Sequence, residues 1–215
     1  MILPTGYSDE ARALWDAATA LNRAAATVSP RAAGLPPLLF FTDPERTPRP
    51  WETAARLPAG SAVVYRAFGA ADAVGTGRRL REATLGAEVR LLVGRDLDLA
   101  QAVGADGLHL PEREAARAVE IRAAHPDWLL TAAWHGAPQP LLKGLDALIL
   151  SPVFPAGGAS SAKPALGVAG FQDRVRSIAA PVYALGGVSA LNLGELRGSG
   201  ACGLAGVDAV QSAFR

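Results

Sequence analysis

The segment DGLHLPEREAARAVEIRAAHPDWLLTAA, residues 106–133, contains the pattern that decides the fold. Two short apolar runs, at 106–110 and 128–133, flank a stretch at 112–125 that is rich in Ala and Arg and typical of a helix. Strands that are almost continuously apolar are buried on both faces, as in a parallel sheet covered by helices. The segment therefore predicts a strand–helix–strand unit.

Six further apolar runs extend this alternation along the chain. They are LLFFT (38–42), AVVYR (62–66), EVRLLV (88–93), ALILS (147–151), PVYAL (181–185) and CGLAG (202–206). Eight strands that alternate with helices favour a (β/α)8 TIM barrel, with a doubly wound open sheet as the alternative. The helix predicted after the last run, at about 207–214, is short. Closure of the barrel after strand eight is therefore the part of the fold prediction that the sequence supports least.

Residues 8–28 predict an additional helix before the barrel. Ser8 can cap this helix, because a serine hydroxyl accepts from a free N–H of the first turn. One face of the helix carries Leu14, Trp15, Ala18 and Leu21. We therefore divide the chain into an N-terminal helix and linker at 1–37 and a barrel at 38–215. The helix is expected to cover either the bottom of the barrel or a partner subunit.

The composition narrows the classes of partner. The 21 basic and 20 acidic residues are interspersed and give a net charge of +1, so we expect no nucleic-acid partner. Cys202 is the only cysteine, which excludes a disulfide framework and a cysteine-cluster metal site. Charged residues near the N-terminus and the absence of an apolar run of ~20 residues predict a cytoplasmic protein without a membrane partner. The composition is compatible with a homo-oligomer.

Glycines after the last two strands form the strongest candidate site. In this fold the loops after the strands carry the active site, and a phosphate site often lies after strands seven and eight. Gly186 and Gly187 allow the backbone to approach an anion closely, and Gly206 completes the pair of loops. The alternative is that Gly186 and Gly187 serve only as a turn. Asp208 is a complication, because its carboxylate would repel a phosphate unless it points away.

Three other side chains are candidates near the mouth of the barrel. His135 ends strand five, where a histidine can exchange protons near neutral pH, although a structural hydrogen bond is equally compatible. His109 ends strand four and is expected to be a buried packing residue. Lys163 lies on the long loop 151–167 after strand six, which is expected to be either a functional lid or disordered. Lys163 itself either reaches a phosphate or is solvated.

The chain resembles the thiamine phosphate synthase family, including its thiazole tautomerase relatives, from about residue 38 to 212. Five segments carry the resemblance: LLFFTD, RLLVGRDLDLAQAVGADGLHL, DALILSPVFP, PVYALGGVSALN and GACGLAGVDAV. It implies an enzyme that joins a pyrimidine pyrophosphate to a thiazole phosphate with Mg²⁺ and releases pyrophosphate. It also implies that the thiazole phosphate, a phosphorylated small molecule, binds at Gly186, Gly187, Gly206 and Val207. In the tautomerase relatives a histidine at the position of His135 transfers protons.

The chain departs from the family pattern where the family binds pyrophosphate and metal. Arg66 matches the family's arginine after strand two, but Phe68 stands in place of a lysine. Arg95 replaces a metal-binding aspartate, and Glu114 is the only counterpart of the second metal carboxylate. Mg²⁺ is therefore a doubtful cofactor.

Two further departures affect the anion side of the predicted site. Lys163 lies about four residues later than the family's lysine, and Asp208 occupies the position of a phosphate-binding serine. Arg66, Arg95, Lys163 and His135 are the catalytic candidates that remain.

Three functions follow from these matches and departures. The first is a synthase whose pyrophosphate or metal site is altered or impaired, in which Arg95 could neutralise pyrophosphate without a metal. The second is a proton-transfer enzyme of the thiazole tautomerase kind that uses His135. The third is a non-catalytic protein that binds a thiazole or thiamine phosphate.

Overall fold

The eight apolar runs form eight parallel strands, which pair in chain order and close into one barrel. The computed structural model describes residue 3 and residues 5–135, 140–157 and 163–215. The strands are β1 (Leu38–Phe41), β2 (Ala62–Tyr65), β3 (Arg90–Gly94), β4 (Gly107–Leu110), β5 (Leu129–Trp134), β6 (Ala147–Leu150), β7 (Val182–Leu185) and β8 (Gly203–Gly206). Closure occurs where β8 pairs with β1, with Ala205 opposite Leu39. The predicted barrel is confirmed, and the open sheet is excluded.

The helices surround the barrel unevenly. They are α1 (Asp9–Val28), α2 (Pro50–Ala54), α3 (Ala73–Gly86), α4 (Leu97–Ala102), α5 (Ala118–Ala124), α6 (Gly167–Arg176) and α7 (Asp208–Ala213). Short 3₁₀ helices occupy Pro30–Gly34, Glu112–Arg117 and Leu193–Leu196. Between β5 and β6 the described residues contain no α-helix, and β7 is joined to β8 only through a 3₁₀ helix. The expected helix after every strand is thus only partly present.

Alternate residues of each strand pack into two separate apolar layers, because successive side chains of a strand point to opposite faces. The layer inside the barrel includes Leu39, Phe41, Val64, Leu92, Ile149 and Tyr183. The layer between the barrel and its helices includes Leu38, Phe40, Val63, Leu91, Leu108 and Leu204. A core of this kind fixes the strand ends and therefore the positions of the loops that follow them.

The N-terminal helix α1 packs against β8 and α7, on the outside of the barrel where it closes. Ser8 caps the helix as predicted, since its Oγ accepts from the Ala11 N–H at 3.1 Å. The same Oγ donates to the carbonyl of Ala213 in α7 at 3.3 Å. Asn22 Nδ2 donates to the carbonyl of Cys202, which precedes β8, at 3.1 Å. The helix therefore covers the closing strand that the short α7 alone would leave exposed.

The linker after α1 covers the bottom of the barrel. Ala32 and Leu35 are buried and pack with the inner apolar layer. Tyr183, inside β7, donates its hydroxyl to the carbonyl of Pro36 at 2.6 Å. Ala25 and Ala26, near the end of α1, also pack against this inner layer, so the linker and the end of α1 together cover the bottom of the barrel. In the described part of the chain, no helix has the length and apolar character needed to cross a bilayer.

Candidate functional site

A cleft of about 950 Å³ opens at the carboxyl ends of the strands, between the loops that follow β1, β2, β6, β7 and β8. It is lined by Gly186 and Gly187 after β7, by Gly206 and Val207 at the end of β8, and by Arg66 after β2. The four predicted phosphate-binding residues and Arg66 therefore share one cavity. Its size suits a small organic ligand, for which cavities of roughly 300–1,000 Å³ are usual.

The two glycines after β7 also have a structural reason to be glycine. Gly186 and Gly187 have φ values of 98° and 65°, which favour glycine. A Cβ on Gly187 would lie 2.4 Å from the carbonyl oxygen of Pro155, so the loop after β6 could not approach as it does. That loop is held there in part by the Phe154 N–H, which donates to the Gly186 carbonyl at 3.0 Å. The glycine pair therefore shapes one wall of the cleft.

An ion pair between Arg46 and Asp208 links the loops after β1 and β8 at the cleft. Arg46 Nε donates to Asp208 Oδ1 at 2.9 Å, and Nη2 contacts Oδ2. The hydrogen bond that Arg46 donates to Asp208 is the main cause that raises the pKa of Arg46 above its usual value. Asp208 thus points toward a cation within the cleft lining. Arg46 was not predicted from the sequence, although TDPER directly after β1 places a cation at the correct end of the barrel.

Arg66 extends from the end of β2 beneath the mouth of the cleft. Its Nε donates to the Thr42 carbonyl at 2.7 Å, and its Nη2 lies 3.8 Å from Asp43 Oδ2. Burial lowers the pKa of Arg66, an effect that Asp43 opposes and the charge of Arg46 reinforces. The guanidinium carbon lies 5.4 Å from the ring centroid of Phe41.

Phe68 contacts the same guanidinium group as Phe41 does. The Arg66 guanidinium carbon lies 5.1 Å from the centroid of the Phe68 ring. Phe68 lines the cleft, is 70% exposed and has a φ of 47°, which is unusual for a bulky residue. Phe68 therefore presents an aromatic ring at the mouth of the cleft.

Glu114 and Arg95 lie outside the residues that line the cleft. Arg95 Nε donates to Glu114 Oε1 and Arg117 Nη1 to Oε2, both at 2.8 Å, while Arg113 Nη2 lies 3.7 Å from Oε1. Burial raises the pKa of Glu114, but the hydrogen bonds and charges of Arg117 and Arg95 outweigh it, so that the pKa is lowered.

This arginine cluster does not fit a divalent cation. Each oxygen of the Glu114 carboxylate already accepts from an arginine, and a positive ion would be repelled by three guanidinium groups. Nor do the described residues contain a group of three His, Cys, Asp or Glu side chains that could hold a metal ion. At Glu114, the weak metal-ligand candidate, the positive charge next to the carboxylate is supplied by arginines.

His135 directly follows β5 and is exposed. Its N–H donates to Glu112 Oε2 at 3.2 Å, and its Nδ1 lies 3.4 Å from the Ser151 carbonyl oxygen. It is not among the residues that line the cleft, and neither is Lys163, which is exposed after β6. Of the predicted lid at 151–167, residues 158–162 lie outside the described residues.

His109 is buried inside the barrel below the site. Its Nδ1 is 3.0 Å from Thr131 Oγ1, and its ring meets that of Phe41 edge-on with centroids 5.1 Å apart. Burial, followed by the charges of Arg66 and His135, lowers its pKa to about 3. A neutral, hydrogen-bonded histidine agrees with the packing role predicted for it.

The chain is similar in sequence to proteins of known family. Residues 38–210 match the family model described as thiamine monophosphate synthase. The thiamine-phosphate synthase of Limosilactobacillus fermentum is 36% identical over 149 residues, 66% of this chain and 68% of that relative. That of Methanoculleus marisnigri is 32% identical over 134 residues, 61% of this chain and 64% of the relative. The aligned part of the chain thus spans about two thirds of the length of these curated relatives.

Solved structures agree with this similarity. Thiamine phosphate pyrophosphorylase from Pyrococcus furiosus superposes with a TM-score of 0.68 at 25% identity, covering 82% of this chain and 91% of that one. A Rubisco-like protein from Rhodopseudomonas palustris, at 15% identity and a TM-score of 0.58, covers 92% of this chain and 68% of its own and shares the fold alone.

Proposed function

The chain belongs to the thiamine monophosphate synthase family, and from that premise we propose that it couples a thiazole phosphate to a pyrimidine pyrophosphate without a divalent cation. The observation that carries this proposal is the cleft of about 950 Å³, in which the four predicted phosphate-binding residues and Arg66 meet. The thiazole phosphate binds at Gly186, Gly187, Gly206 and Val207, whose backbone forms the β7 and β8 side of the cleft.

Arginine side chains take the role of stabilising the leaving pyrophosphate. As the bond to pyrophosphate breaks, negative charge develops on the leaving group, and cations fixed in advance lower the energy of that state. Arg95, Arg113 and Arg117 surround one carboxylate, so positive charge exceeds negative charge in this cluster. Arg95 is two-thirds exposed and stands where the family carries a metal-binding aspartate. Lys163, on the loop after β6, supplies a second cation.

The test is pyrophosphate release by the purified protein from the two phosphorylated substrates, with added Mg²⁺ and with EDTA. We expect release in both conditions. Arg95→Ala should reduce kcat/KM by at least about tenfold, the effect of losing about 1.4 kcal/mol of transition-state stabilisation. Arg176→Ala, in the last turn of α6 at the far end of the barrel, is the matched control and should retain activity.

Two outcomes would contradict the proposal. Release that EDTA abolishes and Mg²⁺ restores would show that a metal is still required. Absence of release from folded protein would remove the synthase function, and tight binding of a thiazole phosphate without turnover would then indicate the non-catalytic binding protein.

A proton-transfer enzyme of the tautomerase kind is the second candidate, and it rests on His135. This residue follows Thr131 and Ala133 at alternate positions of β5, and its Nδ1 approaches the Ser151 carbonyl at 3.4 Å. A ring held through Nδ1 keeps Nε2 available for proton transfer. Isomerisation of the thiazole phosphate should fall by two or more orders of magnitude in His135→Ala, as expected for loss of a general acid–base. An unchanged rate would exclude this function.

A further inference from the structure

The ring of Phe68 is the most exposed large aromatic surface that the cleft presents. Exposed apolar side chains that occur singly need no explanation, but this one lies at the mouth of a cavity and not on an open face. Val28, Leu85 and Leu191 are also strongly exposed, but they do not line the cleft. Phe68 therefore differs from them in its position.

Phe68 is held in place by the backbone and by Arg66. Its φ of 47° is one that a bulky side chain rarely adopts, so the surrounding structure must determine it. The guanidinium of Arg66 lies 5.1 Å from its ring and 5.4 Å from the ring of Phe41 below. Arg66 is itself fixed by hydrogen bonds from its Nε and its backbone N–H to Thr42. The Phe68 ring is therefore held in place by Arg66 on one side.

The charges around this ring do not favour a polyanion. The charged residues that line the cleft are Arg46, Arg66, Asp43, Glu45 and Asp208. Arg46 is paired with Asp208 and Arg66 lies 3.8 Å from Asp43, so carboxylates balance both cations of the described lining. An aromatic face between balanced charges offers stacking rather than charge neutralisation.

We propose that Phe68, oriented by Arg66, is a stacking platform that binds one planar heteroaromatic ring of the substrates. The inference rests on the proposed function for the identity of those substrates, whose pyrimidine and thiazole halves are both planar rings. Replacement of the family's lysine by Phe68 thus converts a position for anion binding into one for ring binding.

The experiment measures binding of the unphosphorylated pyrimidine alcohol and, separately, the thiazole alcohol by isothermal titration calorimetry. Because neither probe carries a phosphate, the result does not depend on pyrophosphate release and separates this inference from the proposed function. Phe68→Leu keeps apolar bulk and removes the ring, and it should weaken binding of one alcohol by about tenfold, or roughly 1.4 kcal/mol. Phe68→Tyr should bind like the wild type, and Leu85→Ala is the control for loss of an exposed apolar side chain.

A second arm tests the change of ligand class. Phe68→Lys should bind the alcohol about tenfold more weakly, yet bind inorganic pyrophosphate more tightly than the wild type does. Circular dichroism and thermal melting confirm that each variant is folded. Binding of neither alcohol by the wild type, or equal affinities for wild type and Phe68→Leu, would overturn the inference.

Discussion

Asp208 places a carboxylate beside the backbone at which the thiazole phosphate is proposed to bind, and Arg46 balances its charge. Charges a few ångströms apart in a partly enclosed cleft interact by several kcal/mol before solvent screening. The pair therefore allows an anion to approach a loop that carries an acidic residue.

Removal of Arg46 should leave that carboxylate unbalanced. We expect Arg46→Ala to bind the thiazole phosphate at least about tenfold more weakly, a loss of about 1.4 kcal/mol. The double variant Arg46→Ala/Asp208→Ser should recover most of the affinity, because it removes the repulsion as well. Calorimetric titration measures both, and Arg49→Ala, on the exposed surface before α2, is the control. Equal losses in the single and double variants would contradict this electrostatic explanation.

The buried imidazole of His109 should make stability depend on pH. Its pKa is about 3 in the folded protein and about 6.5 in the unfolded chain, so between these values only the unfolded chain binds the proton. Stability is therefore lost as the pH falls below about 6.5.

Comparison with His109→Gln isolates this effect from that of the carboxylates. Between pH 7 and pH 5 the free energy of unfolding of the wild type should fall by about 2 kcal/mol more than that of His109→Gln. Urea unfolding at each pH gives the two curves, and parallel curves would show that His109 takes up a proton in the folded state.

The sequence could predict the residues whose position follows from strand ends, and it could not predict the pairs formed across the barrel. Gly186, Gly206 and Arg66 follow β7, β8 and β2, and the fold alone places them at one end. Arg46 contacts Asp208 across 162 residues of chain, and no local pattern indicates such a contact.

At the scale of elements, α1 packs against the barrel and contributes to its stability. Leu14 is 2% exposed in the core between α1 and the barrel, so Leu14→Ala should lower the free energy of unfolding by about 3 kcal/mol. Val28→Ala, at an end of the same helix where the side chain is 87% exposed, should change it by less than about 0.5 kcal/mol. Urea denaturation measures both, and a similar small change in both would show that α1 does not support the barrel.

The connection from β5 to β6 is a place where the alternation of strands and helices predicted a helix that the described residues do not form. Eight alternating elements suggested a helix after every strand, but the described residues 140–146 lack one. Gly144 has a φ of 84°, and a Cβ there would lie 2.6 Å from the Ala118 carbonyl oxygen. The chain therefore crosses close to the start of α5 in a conformation that is not helical. Single glycines do not reveal such a contact, because the partner backbone is distant in sequence.

At the scale of the whole molecule, the number and order of the strands were predictable, whereas the means of closure was not. Apolar runs gave all eight strands, and a parallel sheet with short crossovers pairs them in chain order. The short α7 suggested weak closure. The sequence did not indicate that α1 covers β8. The amphipathic pattern of a helix shows that one face is buried, but it does not identify the element against which that face packs.

The contact of α1 with β8 and α7 has a consequence for how the chain is made. A ribosome releases α1 long before the residues of β8 that it covers have been synthesised. During that interval the part of the apolar face of α1 that later packs on β8 and α7 lacks these two native partners, and it is available to chaperones or to other nascent chains. The earliest helix of this barrel is therefore among the last to reach its final place.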